Sequence, residues 1–125
     1  MWRDVFGDVM NNKDQGNAGE AFAIYHYTSS GHKVSKPLFE NCPYDLIVDK
    51  DGCLLRVQVK TSRVKAPSGR YEVSLRTNGG NRSGIGKSKN ISSSEVDLLF
   101  VLIEDGRYFE IPCSEVDGQT CVTVG

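Results

Sequence analysis

The segment Tyr44-Asp45-Leu46-Ile47-Val48-Asp49-Lys50-Asp51-Gly52-Cys53-Leu54-Leu55-Arg56-Val57-Gln58-Val59-Lys60-Thr61 decides the fold. Two apolar, β-branched runs flank Asp49-Lys50-Asp51-Gly52. Those are the residue types of a two-residue type I′ turn, whose central positions both take positive φ. With Asp51-Gly52 as the turn, Lys50 lies opposite Cys53, Asp49 opposite Leu54, Ile47 opposite Arg56 and Asp45 opposite Gln58. Opposed residues share one face of a sheet, and alternation adds Lys60 to that face. Asp45, Gln58 and Lys60 are therefore predicted to cluster at the end of the hairpin away from the turn. A slip of one residue would separate them. Carboxylate and amide oxygens are hard donors suited to Mg²⁺. A neighbouring lysine can hold or deprotonate a water, or balance charge on a phosphate. Spacing alone favours a blander reading, a half-exposed Asp–Lys pair contributing less than about 1 kcal/mol.

Upstream, Ala18, Ala21, Phe22 and Tyr25 form an apolar stripe on a helix predicted from about 17 to 29, ending at Ser29-Ser30-Gly31. Asp14 and Asn17 are its cap candidates within the polar break 11–17. Glu20 falls in the first turn, where an acid suits the helix dipole without any chemistry. If the helix crosses the face of Asp45 and Lys60, Glu20 supplies a second carboxylate. Before it, Trp2, Val5, Phe6, Val9 and Met10 are spaced as a short amphipathic arm, 1–15. Downstream, 70–77 alternates as a strand, Leu98 to Ile103 is a continuous apolar run as in a strand covered on both faces, and 107–112 returns through Asp105-Gly106. The order is a helix, a three-stranded meander, a long loop and two further strands. The fold class is α/β or α+β, one domain over 1–125 with a central mixed sheet.

Charge is unevenly spread. From Arg56 to Asn90 there are nine basic residues and one acid, net +8; the remainder holds six basic and fifteen acidic residues, net −9. Such asymmetry fits a surface for a polyanion or a solvated loop about equally well. Within it, 78–90 is a basic Gly/Ser-rich loop, the kind that is functional or disordered in a small domain. Gly84-Ile85-Gly86-Lys87-Ser88 lacks the first glycine of a phosphate-binding loop, so no nucleotide cofactor is expected. Cys42, Cys53, Cys113 and Cys121 form no C-x-x-C pair, and His26 and His32 lie outside metal-ligand spacings; the reading is reduced thiols in a cytoplasmic protein. No run is apolar enough for a membrane span, and the N-terminal residues lack a secretory apolar stretch.

Gly19-Glu20 at a helix start, Pro43-Tyr44-Asp45 and Val57-Gln58-Val59-Lys60 together resemble the PD-(D/E)XK nuclease superfamily. They are similar in particular to its small branch of bacterial and phage homing endonucleases and restriction-like relatives. That branch carries glutamine at the second acidic position, as Gln58 does. The resemblance covers about 16–115 and implies a restriction-endonuclease-like core, a mixed sheet flanked by helices in the order α-β-β-β-α-β. It implies that Asp45 is the main Mg²⁺ ligand, with Mn²⁺ able to substitute. Glu20 and the Val59 carbonyl are the further ligands, Gln58 replaces the acid, and Lys60 is the catalytic lysine. Tyr44 separates the proline from the aspartate, and Gln58 removes one negative charge from the metal site.

The implied activity is metal-dependent, site-specific hydrolysis of double-stranded DNA in a bacterial or phage-encoded setting. The alternatives are a Holliday-junction resolvase, which reads junction shape, and a catalytically silent DNA-binding module of the same fold. Arg63, Lys65, Arg70, Arg76, Asn78, Asn81, Arg82, Lys87 and Lys89 are the candidate DNA-binding residues. One active centre in so short a chain cannot serve both strands of a long site. A homodimer or higher homo-oligomer is expected, with the arm at Trp2, Val5 and Phe6 or the strand 98–103 as candidate interfaces.

Overall fold

The computed structural model describes residues 4–8, 11–77 and 89–125. In chain order the described elements are α1 (Asn12–Ser29), β1 (Lys33–Ser35), β2 (Leu46–Lys50), β3 (Cys53–Ser62), β4 (Tyr71–Ser74), β5 (Arg76–Thr77), β6 (Lys89–Asn90), β7 (Leu98–Ile103), β8 (Tyr108–Pro112), a 3-10 turn (Cys113–Glu115) and β9 (Cys121–Val124).

The turn forms as its residues dictate: φ is 53° at Asp51 and 90° at Gly52, and Asp49 Oδ1 accepts the Gly52 N–H at 2.7 Å. The pairing of β2 with β3 then follows the predicted register from Lys50–Cys53 out to Leu46–Val57. β1 adds to the free edge of β2. On its other edge β3 runs parallel to β7, which pairs antiparallel with β8, giving the mixed sheet β1-β2-β3-β7-β8. The apolar run of β7 is covered on both faces, as its sequence demanded. Phe100 and Leu102 face one core with Leu46, Val48, Val57, Ala23 and Tyr27, while Leu99, Val101 and Ile103 face a second core with Tyr71, Val73, Leu75 and Val124.

Helix α1 covers the first face. It begins at Asn12, five residues before the predicted start, because Asn11 is the N-cap: its Oδ1 accepts the Asp14 N–H at 2.8 Å. The polar run 11–17 is thus the exposed beginning of the helix, and residues 12–15 belong to it rather than to an arm. The buried face is also displaced from the predicted stripe. It runs through Gly19, Ala23 and Tyr27, while Tyr25 is 70% exposed. Gly19 is decisive, since a Cβ there would lie 2.3 Å from Thr61 Cγ2. The helix approaches β3 closely because this position has no side chain. Gln15 Nε2 donates to Thr61 Oγ1 at 2.8 Å, fixing the same contact.

The second face carries a small sheet that the sequence did not announce. The predicted strand 70–77 divides into β4, paired with β9, and β5, paired with β6. Where a second helix was expected before β7, residues 91–97 form a turn held by Glu95 and Val96 N–H groups donating to the Ser92 carbonyl. Asp97 ends this turn and clamps Arg56: Oδ2 accepts from the Arg56 backbone N–H at 2.8 Å and Nε at 3.0 Å, and Oδ1 accepts from Nη2 at 3.0 Å. Of the two expected oligomer surfaces, the strand is covered within the chain and the arm only in part, since Val5 is 40% exposed. Phe6 is buried in the first core, and β7 is central. Trp2 lies outside the described residues.

Candidate active site

The register that places the site residues holds as far as Leu46 and then changes. Asp45 N–H donates at 2.8 Å to the carbonyl of Val57, the residue already paired with Leu46, so two residues oppose one. This bulge shifts Asp45 away from a position directly opposite Gln58. Its Oδ2 instead accepts the Val59 N–H at 2.8 Å. Strand β2 ends at Leu46, so beyond Val57 the β2-side edge of β3 is a notch, and the Asp45 carboxylate satisfies a backbone donor there that no strand reaches. The N–H and C=O of one extended residue point to the same edge, so the Val59 carbonyl opens on this notch too.

The predicted helix placement needs correction. α1 packs on the face of β3 that carries Val57, Val59 and Thr61, whereas alternation puts Gln58 and Lys60 on the opposite face, toward the second core. Glu20 still acts on Asp45, because the notch leaves the edge open between the two faces. Burial raises the Asp45 carboxyl above the ordinary carboxylate value; the Val59 N–H opposes the rise, the Glu20 charge adds to it, and Lys60 and Lys36 oppose it. Burial likewise lowers the Lys60 ammonium below the ordinary lysine value, with Asp45 opposing. Lys60 Nζ donates at 2.6 Å to the Arg76 carbonyl, which holds the side chain toward β5. Glu20 is ion-paired with Lys36, a residue that motif reading passed over because nothing in its spacing connects it to the cluster.

Among the described residues no group of three or more His, Cys, Asp and Glu side chains is disposed to hold a metal ion. The acidic donors here number two, Glu20 and Asp45. A half-buried carboxylate raised by burial and by a second carboxylate is nonetheless a place where a cation lowers the energy. With the Val59 carbonyl opening on the same notch, the donors are oxygens of the kind a hard divalent ion takes while retaining waters.

A cleft of about 1040 Å³ lies between the start of α1 and β4–β5, lined among others by Gln15, Gly16, Lys60, Arg63, Arg76 and Cys121. Lys60 belongs to both places: it lines the cleft and its charge acts on Asp45. The basic candidates differ in what they touch. Arg63 Nη2 donates to the Gly7 carbonyl at 3.1 Å, pairs with Asp4 at 3.0 Å and covers the Phe6 ring. Lys65 lies over the Tyr71 ring, and Arg70 Nη2 donates to the Thr123 carbonyl at 3.0 Å. Arg76 lines the cleft, and the backbone of Lys89 pairs with Thr77. Asn78, Asn81, Arg82 and Lys87 lie outside the described residues.

Comparison with known proteins agrees with the fold. The structure is similar to that of the bacterial homing endonuclease I-Ssp6803I, with a TM-score of 0.78, 25% identity, and coverage of 93% of this chain and 79% of that one. The sequence is 30% identical over 115 residues to Protein 5.3 of Escherichia phage T7, spanning 88% of this chain and 87% of that protein. No helix among the described residues is long and apolar enough to cross a membrane. A model of the PD-(D/E)XK endonuclease family matches residues 10–123, nearly the whole described fold, and the chain belongs to that family.

Proposed function

We infer that the protein is a Mg²⁺-dependent, site-specific endonuclease of double-stranded DNA, with Asp45, Glu20, Gln58 and Lys60 as its catalytic set. The observation that carries this reading is the notch beside β3, where a bulge turns the Asp45 carboxylate onto the Val59 N–H while the charges of Glu20 and Lys60 act on it. Asp45, Glu20 and the Val59 carbonyl would hold the ion, and Gln58 would contribute a neutral oxygen. When bound, the divalent ion polarises a phosphodiester and acidifies a water. Lys60, tethered at the Arg76 carbonyl, positions a water or a non-bridging phosphate oxygen, and its ammonium balances the charge that develops there. Mn²⁺ is expected to substitute, because the donors are all oxygen.

The substrate reading rests on family membership and on the cleft that Lys60 shares with Arg76. Cutting both strands at one site requires two copies of a single-centre chain, so the active form is a homodimer or larger. The test is cleavage of a linear duplex library and of a four-way junction, with Mg²⁺, by wild type, Lys60→Ala and Asp45→Asn. Sequence-specific duplex cutting that falls by about 10²–10⁴-fold in each variant supports the reading. Cutting confined to the junction replaces it with a resolvase. DNA binding without cleavage under any divalent ion replaces it with a silent binding module.

A further inference from the structure

The charges of four side chains act together at the Asp45 carboxylate. Asp45 and Glu20 bring two negative charges, and Lys60 and Lys36 bring two positive ones, so the group is balanced without any metal. The two lysines are held differently. Lys60 is half-buried and its ammonium is committed to the Arg76 carbonyl at 2.6 Å. Lys36 is 56% exposed at its side chain and its ammonium rests on Glu20, whose own side chain is 22% exposed. It follows directly on the end of β1, and Pro37 after it keeps its backbone extended. The position of Lys36 is thereby set by the sheet, while its side chain reaches Glu20 from the solvent side.

A divalent ion entering this group would leave a net charge of +2 in a half-desolvated place if both lysines stayed. Lys60 cannot withdraw without losing its backbone acceptor. Lys36 can, because water is available to it. We propose that Lys36 is an internal cation competing for Glu20, displaced when a divalent metal ion binds. The proposal rests on the metal reading above and assigns a role to a residue outside the family motif.

The test is Mn²⁺ affinity in the absence of DNA, followed by electron paramagnetic resonance and calorimetry, for wild type, Lys36→Gln, Lys36→Arg and Asp45→Asn. Lys36→Gln is expected to bind Mn²⁺ about three- to tenfold more tightly than wild type, the scale of one partly exposed charge pair. Lys36→Arg, which keeps the charge, is expected to stay near wild type, and thermal unfolding without metal is expected to change little in either. Affinity that is unchanged or weaker in Lys36→Gln, with Asp45→Asn abolishing binding, overturns the competition alone. Tightening in Lys36→Arg equal to that in Lys36→Gln also overturns it, since side-chain shape would then be the cause. Absence of Mn²⁺ binding in wild type and in Lys36→Gln overturns both this proposal and the metal reading beneath it.

Discussion

Single residues decide how far the hairpin pattern can be trusted. Alternation and the Asp51-Gly52 turn give every pair from Lys50–Cys53 to Leu46–Val57, yet they misplace Asp45 by the one residue of the bulge. Bulges leave no mark on a period-two pattern, and this one is visible only through the hydrogen bonds it redirects. The candidate site residues can be picked out by type in the sequence; the contacts that orient them cannot. The Arg56–Asp97 clamp shows the same limit, since Arg56 reads as one more basic residue until Asp97 is seen to accept its backbone and side-chain donors. The Arg56 guanidinium, through two N–H groups, and the Arg56 backbone N–H hold the Asp97 carboxyl below its ordinary value. An acid lowered on folding stabilises the native state above its unfolded value, and the gain is lost as pH falls through the lower, folded one. Asp97→Asn is therefore expected to cost about 1–2 kcal/mol at pH 7, allowing for partial exposure. The difference from wild type should shrink below about pH 4. Chemical denaturation at pH 7 and pH 3.5 checks this; an equal deficit at both would mean that the charge is immaterial.

Elements met the sequence reading where they advertise themselves by apolar side chains. Strand β7 and the β2–β3 hairpin do so. Helix α1 does not, because its closest contact with the sheet is made at Gly19, which contributes no hydrophobic signal. Its first turns are polar because they lie at the rim of the cleft, with Gln15 reaching Thr61. Glu20 owes its place to that contact, being the next residue along the helix. Gly19→Ala gains helix propensity of about 1 kcal/mol, but its methyl meets the stiff, β-branched Thr61. The net result is expected to be a loss of about 1–3 kcal/mol. Pairing it with Thr61→Ser removes Cγ2 while leaving a hydroxyl for Gln15, and should recover most of the stability. Thermal unfolding of the two single variants and the double variant measures the coupling directly; additive losses would show that the clash is relieved elsewhere.

Over the whole molecule the basic excess of 56–90 is partly spent inside the fold. Arg63 fastens the segment 4–8 through Gly7, Asp4 and Phe6, and Arg70 binds the last strand at Thr123. Composition registers charge but not its engagement, so the sequence overstates how many cations meet DNA. Salt titration of DNA binding separates the two uses. Arg76→Ala is expected to reduce the slope of log affinity against log salt by about 1. Arg63→Ala is expected to leave that slope nearly unchanged and to cost about 1–2 kcal/mol of stability through the lost hydrogen bonds and the Phe6 contact. A drop in slope for Arg63→Ala as large as for Arg76→Ala would return Arg63 to the DNA surface. The second sheet went unforeseen for a related reason: β4 finds its partner β9 some fifty residues later, beyond any local pattern. That distant pairing has a consequence for synthesis on the ribosome. Leu75 N–H bonds to Thr120 and β4 to β9, and Arg76, beside them, supplies the carbonyl that anchors Lys60. A nascent chain halted before Thr120 holds every residue of the proposed catalytic set but lacks the support behind its lysine. The proposed centre would thus be completed only as β9 emerges.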